Sequence, residues 1–248
     1  MPQYGFFFDQ SRCVHCGSCA VTCKDWNDLQ PGPVKWARLY QWETGTWPTP
    51  RFNTVFAPCY HCENPLCVDA ADGAMFKEEK YGAVLIDPDK ASSPSMRKAW
   101  EACPYGAIVF DSDSPVAKAS MCNMCIDRLE QGLKPICVMS CITRALDFDT
   151  LETLQKKYGT NRDLEGMPSS ADVKPAVVFK PKPAKKKLVA YDVNKALQIN
   201  MKTPTGVQFY SSPSDVTDIP EGLMTRRKLS MKANSTEELH YNTKTTES

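Results

Sequence analysis

Cys13, Cys16, Cys19 and Cys23 stand two, two and three residues apart, so one short loop gathers four sulfurs that could each become a thiolate ligand. Spacing of this kind lets three neighbouring thiolates grip one 4Fe-4S cube while the fourth reaches an adjacent one, so a single run implies more cysteines elsewhere. Cys59, Cys62 and Cys67 follow with gaps of two and four residues, and Cys103 stands alone before Pro104. Cys122, Cys125, Cys137 and Cys141 complete the series with gaps of two, eleven and three. The twelve cysteines divide without remainder into three sets of four.

Two other uses of cysteine compete with this one. Zinc takes four thiolates tetrahedrally, and paired cysteines suit it, so three structural zinc sites are the plainest alternative. The run from Cys13 to Cys23 is crowded for one zinc, whereas a cube wants three close thiolates and a fourth from elsewhere, which favours iron-sulfur. Disulfides are disfavoured because Met1 to Gln10 lacks the basic start, apolar run and small-residue cleavage site of a secretory signal. The remaining polar candidates carry little. His15, His61 and His240 show no repeated ligand spacing, and Asp127 with Arg128 reads as a surface ion pair, so no catalytic residue is assigned.

Composition bounds the rest. The 248 residues are 42% apolar and 24% charged, as in a globular chain. Thirty Lys and Arg against twenty-nine Asp and Glu create no field that would draw nucleic acid. No apolar stretch approaches the 18 residues of a membrane span.

The elements that must position the thiols are short. Tyr4 to Asp9 reads as a strand feeding the first loop, and Tyr81 to Asp87 repeats its Tyr-Gly opening, apolar run and final Asp. Gly73 to Phe76, Gly106 to Phe110 and Arg144 to Phe148 are matching strand-like exits from the later cysteine groups. The fold expected is α+β: duplicated ferredoxin-like units over residues 1–148, with 50–112 as the inner unit, whose folding depends on metal. Trp26, Trp36, Trp42 and Trp47, among Pro31, Pro33, Pro48 and Pro50, either pack over the centres or face a partner. Asp149 to Glu152 has capping-box spacing and starts a short helix burying Leu151, Leu154 and Tyr158. The remainder of 149–248 is expected to be an extended C-terminal arm, solvated around Lys180 to Lys187. Its residues 160–225 would wrap a partner, with about the last twenty residues mobile.

Gln3-Tyr-Gly-Phe-Phe, Cys59-Tyr-His-Cys62-Glu-Asn-Pro, Cys103-Pro-Tyr-Gly-Ala, and Lys134-Pro-Ile-Cys137 through Phe148 together carry a resemblance over residues 3 to about 160. The chain resembles the iron-sulfur, electron-transfer subunit of the dimethyl sulfoxide reductase and molybdopterin oxidoreductase family. The resemblance implies one cube on Cys13, Cys16, Cys19 and Cys141, a second on Cys23, Cys122, Cys125 and Cys137, and a third on Cys59, Cys62, Cys67 and Cys103. A fourth family cube lacks all its ligands: Ala71 replaces one thiol, and residues 91–102 contain no cysteine, Ser93, Met96 and Ala99 standing at the counted-back positions. Ile142 replaces the usual proline after the last cysteine. In relatives the missing cube lies nearest a membrane-bound quinone-exchanging subunit.

The small subunit of pyrogallol-phloroglucinol transhydroxylase shares that deletion and is similar in Cys59 to Asn64 and in Ile86-Asp-Pro-Asp-Lys-Ala91. The implied partner is a large catalytic subunit holding molybdenum or tungsten bis-pterin, in a heterodimer or higher assembly, acting on a substrate such as a polyhydroxylated aromatic. The set at Cys13 would face that subunit, and the set at Cys59 would be the distal end where a soluble donor docks. Alternatives are a respiratory reductase for a sulfoxide, sulfur or arsenic oxyanion, a free polyferredoxin, and a zinc-stapled binding module. The location expected is the cytoplasm, or export folded beside a partner with a twin-arginine signal.

Overall fold

A computed structural model describes residues 2–45, 51–183 and 229–243. The aromatic run at the start forms β1 (Tyr4–Asp9), which is the middle strand of a three-stranded sheet. Its alternation sorts two faces: Phe6 and Phe8 enter the main core, while Phe7 packs with Leu151, Leu154, Ala176 and Val178 and stacks on Tyr158 at 3.6 Å. Antiparallel β8 (Leu146–Thr150) lies on one side of β1, and parallel β9 (Val177–Lys180) on the other. Gly5 allows the second pairing, because a Cβ there would run into the Ala176 carbonyl. That carbonyl instead accepts the Phe6 amide at 3.0 Å.

Strand β9 corrects the expected boundary at residue 148. Val177, Val178 and Phe179 are fully buried, and one compact unit comprises Met1–Lys182 together with Arg227–Ser248. Within residues 160–182, Leu164, Val173 and Ala176 to Phe179 are folded onto this chain. The apolar side chains of this segment, with Leu164 and Val173, outweigh the lysines and prolines that follow. The last residues are corrected too. Leu229, Met231 and Leu239 are buried, and Ser235 caps a helix over Thr236–Asn242 by accepting the Glu238 amide at 3.1 Å. The expected arm from 184 to 228 lies outside the described residues, as does Trp47.

Short elements fill the space between the sheet and this return. Helix α1 (Ser18–Trp26) follows the first cysteine loop. Strands β2 (Arg38–Thr44) and β3 (Arg51–Ala57) form an antiparallel hairpin that buries Leu39, Trp42, Val55 and Phe56. Two smaller hairpins pair β4 (Met75–Lys77) with β5 (Val84–Ile86), and β6 (Val109–Phe110) with β7 (Ala119–Ser120). Helices α2 (Leu66–Ala70), α3 (Ser95–Ala102), α4 (Ile126–Leu129) and α5 (Ile136–Met139) are one or two turns long. The arrangement is α+β, and no described helix is long and apolar enough to cross a membrane. Helix α6 (Leu151–Tyr158) starts one residue later than its capping box predicts. Thr150 is its cap, accepting the Thr153 amide, while Asp149 accepts the Thr150 amide instead.

Substituting Gly5→Ala should destabilise the chain by about 1–3 kcal/mol, as overpacking does, by forcing β9 away from β1. Denaturant melts of the two proteins measure the difference, and an unchanged midpoint would contradict the pairing.

Candidate metal centres

All twelve cysteines lie in the described residues, and none forms a disulfide. Their mutual electrostatics sort them. Cys19 lies within electrostatic reach of Cys13, Cys141 and Cys16, and Cys13 of Cys141 and Cys16. Cys137 feels Cys122, Cys23 and Cys125, and Cys122 feels the last two. Cys59 feels Cys62, Cys67 and Cys103, and Cys62 and Cys67 each feel Cys103. The three sets that resemblance implies are thus brought together as neighbours. Cys137 also feels Cys19, and Cys59 also feels Cys122, which sets the group containing Cys23 between the other two.

Local helix geometry explains the exchange between the first two sets. Cys19 and Cys23 lie four residues apart on α1, hence on one face, and Cys137 and Cys141 repeat that offset at α5. Helices α1 and α5 pack together, with Ser18 Oγ donating to Ser140 O at 3.0 Å and Thr22 Oγ1 to Ser140 Oγ at 2.7 Å. Each helix region therefore offers one sulfur to each set. Between the second and third sets, the Cys59 amide points at the Cys122 sulfur.

Burial pushes up the thiols of Cys13, Cys19, Cys23, Cys59, Cys62, Cys67, Cys122, Cys125 and Cys137, and neighbouring thiols push most of these further. Cys23 and Cys67 reach about 12, and Cys59, Cys122 and Cys137 rise well above the ordinary value. Sites that penalise thiolates so heavily suit cysteines whose negative charge is shared with bound iron. Backbone amides are already aimed at the sulfurs: His61 N to Cys59 at 3.3 Å, Met124 N to Cys122 at 3.4 Å, Ala107 N to Cys103 at 3.4 Å, and Ala145 N to Cys141 at 3.2 Å. The loops curl to do this. His15, His61, Met124 and Cys125 have φ between 45° and 60°, a left-handed backbone that turns successive N–H groups inward as an anion-binding nest.

The donor chemistry fits cubes better than single ions. Zinc at about 2.3 Å from each sulfur would draw its ligands to within about 3.8 Å of one another. Among the described residues, no three His, Cys, Asp or Glu side chains converge to hold one ion. Four separate iron corners need no such convergence. Around Cys13, Cys16, Cys19 and Cys141 lies a cavity walled by Phe8, Leu39, Phe56 and Leu146, apolar surroundings that suit a cube. At the positions counted back for a fourth set, Ala71, Met96 and Ala99 are each 0% exposed and belong to the packed core, while Ser93 is half-buried with its Oγ 2.8 Å from Ser95 Oγ.

Several secondary expectations change. His61 is wholly buried and neutral, held down to about 3 by that burial, and its Nδ1 accepts the Val84 amide at 3.0 Å, tying the Cys59 loop to β5. Asp127 and Arg128 do not form the expected surface ion pair; both grip Trp26. Asp127 accepts its indole N–H at 2.8 Å, and the buried Arg128 guanidinium lies 4.6 Å from the ring centroid while donating to Lys134 O. Asn27 was missed: its Nδ2 donates to Cys23 Sγ at 3.7 Å, and its place four residues after Cys23 was the available signal.

Fold and sulfurs together define an iron-sulfur electron-transfer protein. A family model described as a 4Fe-4S dicluster domain matches residues 52–151. The chain is 39% identical to the B subunit of the anaerobic dimethyl sulfoxide reductase of Escherichia coli (strain K12) over 188 residues, covering 72% of this chain and 89% of that subunit. It is 32% identical to the pyrogallol hydroxytransferase small subunit of Pelobacter acidigallici over 193 residues, covering 73% and 69%. Formate dehydrogenase 2 subunit beta of Nitratidesulfovibrio vulgaris is 37% identical over 170 residues, covering 60% and 76%. The chain belongs to the family of iron-sulfur subunits of molybdopterin oxidoreductases.

Stripping the iron with a chelator should abolish cooperative melting, because the short helices and loops that carry the sulfurs cannot replace the bonds they lose. Circular dichroism and limited proteolysis read this out. An iron-free chain that melts like the loaded one would count against metal-dependent folding.

Proposed function

We propose that this chain is the electron-transfer subunit of a complex whose catalytic subunit holds molybdenum or tungsten bis-pterin, and that it carries three 4Fe-4S cubes. Cubes bound at the sets of Cys13, Cys23 and Cys59 would store and pass single electrons, and bond-making would belong to the partner. The observation that carries this reading is the grouping of twelve thiols into three complete, adjoining sets, with Ala71, Met96 and Ala99 packed where a fourth would be. The protein holds the sulfurs, aims amides at several of them and buries most of them.

The partner is expected at the first set. Val14, Val21, Met139 and Ile142 stand on the segments that carry Cys13, Cys16, Cys19 and Cys141, with exposures of 64%, 55%, 51% and 69%. Apolar side chains ringing an electron-transfer centre suit a stable subunit interface better than open water. A polyhydroxylated aromatic is the substrate class favoured for the complex, by analogy with the pyrogallol hydroxytransferase small subunit. The second reading, a reductase for a small oxidised substrate such as a sulfoxide, has in its favour the higher identity to the dimethyl sulfoxide reductase subunit.

The anaerobically purified full chain should be brown, absorb broadly at about 400 nm and hold about twelve irons. Zinc in place of iron, or about sixteen irons, would end the proposal. Cys67→Ser should remove or convert one cube, and Ile142→Asp should leave iron content intact while weakening capture of the pterin subunit at least about tenfold, as loss of an interface anchor does.

A further inference from the structure

Arg38 opens β2 with 0% exposure, so a guanidinium cation is sealed in the core. Buried charges are normally paired with an opposite one. Among the described residues, the hydrogen bonds of Arg38 instead reach only neutral oxygens. Nε donates to Ala57 O at 3.2 Å, Nη2 to Tyr105 O at 3.2 Å, and Nη1 to Gly106 O and to Tyr40 Oη at 3.1 Å. Ala57 lies just before Pro58 and Cys59, while Tyr105 and Gly106 lie just after Cys103. One side chain is thus fastened to both backbone segments that deliver Cys59 and Cys103.

The peptide joining Gly106 to Ala107 gives this contact a direction. Its carbonyl accepts from Arg38, and its N–H donates to Cys103 Sγ at 3.4 Å. A cation at the carbonyl end polarises the amide and strengthens the N–H end, which faces the sulfur. The peptide cannot readily turn away. Gly106 has φ +56°, a Cβ there would meet Met231 O at 2.6 Å, and Tyr40 Oη donates to that same Met231 O at 3.1 Å. The C-terminal return and the arginine hold the peptide from two sides.

We propose that Arg38 is the internal counter-charge of the site formed by Cys59, Cys62, Cys67 and Cys103. It acts through the Gly106–Ala107 peptide to stabilise negative charge on the Cys103 sulfur, and so raises the reduction potential of a cube held there. Arg38 is a positioning residue, since it touches the site only through backbone. The inference rests on the reading of the thiol sets as cube sites, which the iron content of the unaltered chain tests separately.

The test is a redox titration followed by electron paramagnetic resonance on the anaerobically purified full chain, its Arg38→Gln and Arg38→Lys forms, and Cys67→Ser to assign the signal of that site. The midpoint of that cube should fall in the order unaltered, Lys, Gln. At fixed potential the glutamine form should have about a tenfold smaller ratio of reduced to oxidised cube, or about 59 mV for one electron. The other two midpoints should move less. If the glutamine form does not hold this cube, the lysine form decides the matter: it must keep all the iron and show a lowered midpoint. Unmoved midpoints at full iron content, equal falls in the two variants, or a larger shift at another cube would overturn the proposal and leave Arg38 as a brace alone.

Discussion

Burial of sulfurs that must become thiolates to hold metal is the constraint on which the architecture depends. Burial and neighbouring thiols make a metal-free thiolate at Cys59, Cys122 or Cys137 costly, so the loops have a reason to close only around something positive. The helices that carry these sulfurs are too short to persist alone, and the two-stranded hairpins are marginal. What regular structure exists serves as an outer frame: β1 with its two partners, the longer hairpin of β2 and β3, and the C-terminal return. Inside that frame the backbone is shaped for the sulfurs, with amides turned inward by left-handed residues that would otherwise be strained.

The row of sets follows from a simple repetition. A helix presents residues four apart on one face, as α1 does with Cys19 and Cys23; Cys137 on α5 and Cys141, just past the end of that helix, repeat the spacing. Packing α1 against α5 then crosses the two offsets, and neither set can be disturbed without moving the other. The third set is joined differently, through a single amide-to-sulfur contact between Cys59 and Cys122. Only the donor of that link is backbone; its acceptor is the Cys122 side chain.

Much of this was legible in the residues. The sulfur spacing pointed to sets of four, and the aromatic run at Tyr4–Asp9 declared its strand by an alternation that survives in the two faces of β1. The strand Val177–Lys180 was not legible. Its short apolar run abuts prolines and lysines, and only the distant partner β1, with a glycine placed to admit it, makes it a strand. The cap of α6 was misplaced by one residue because Asp149 and Thr150 are both capable caps. Arg38 gave no local signal: the residue heads an amphipathic hairpin, and nothing nearby in sequence shows that its charge will be sealed among the oxygens of Tyr40, Ala57, Tyr105 and Gly106.

The way the sets draw on the chain also fixes when each can form during synthesis. Cys59 to Cys103 closes over roughly forty residues, so its four sulfurs are available as soon as α3 and the cysteine after it have left the ribosome. The other two sets wait for Cys137 and Cys141, and both become complete almost at once when α5 docks on α1. β9 arrives later still to close the sheet. The sulfurs therefore become available from the middle outward, and a chain halted just before α5 would present Cys59, Cys62, Cys67 and Cys103 together beside the incomplete sets of Cys13, Cys16, Cys19, Cys23, Cys122 and Cys125.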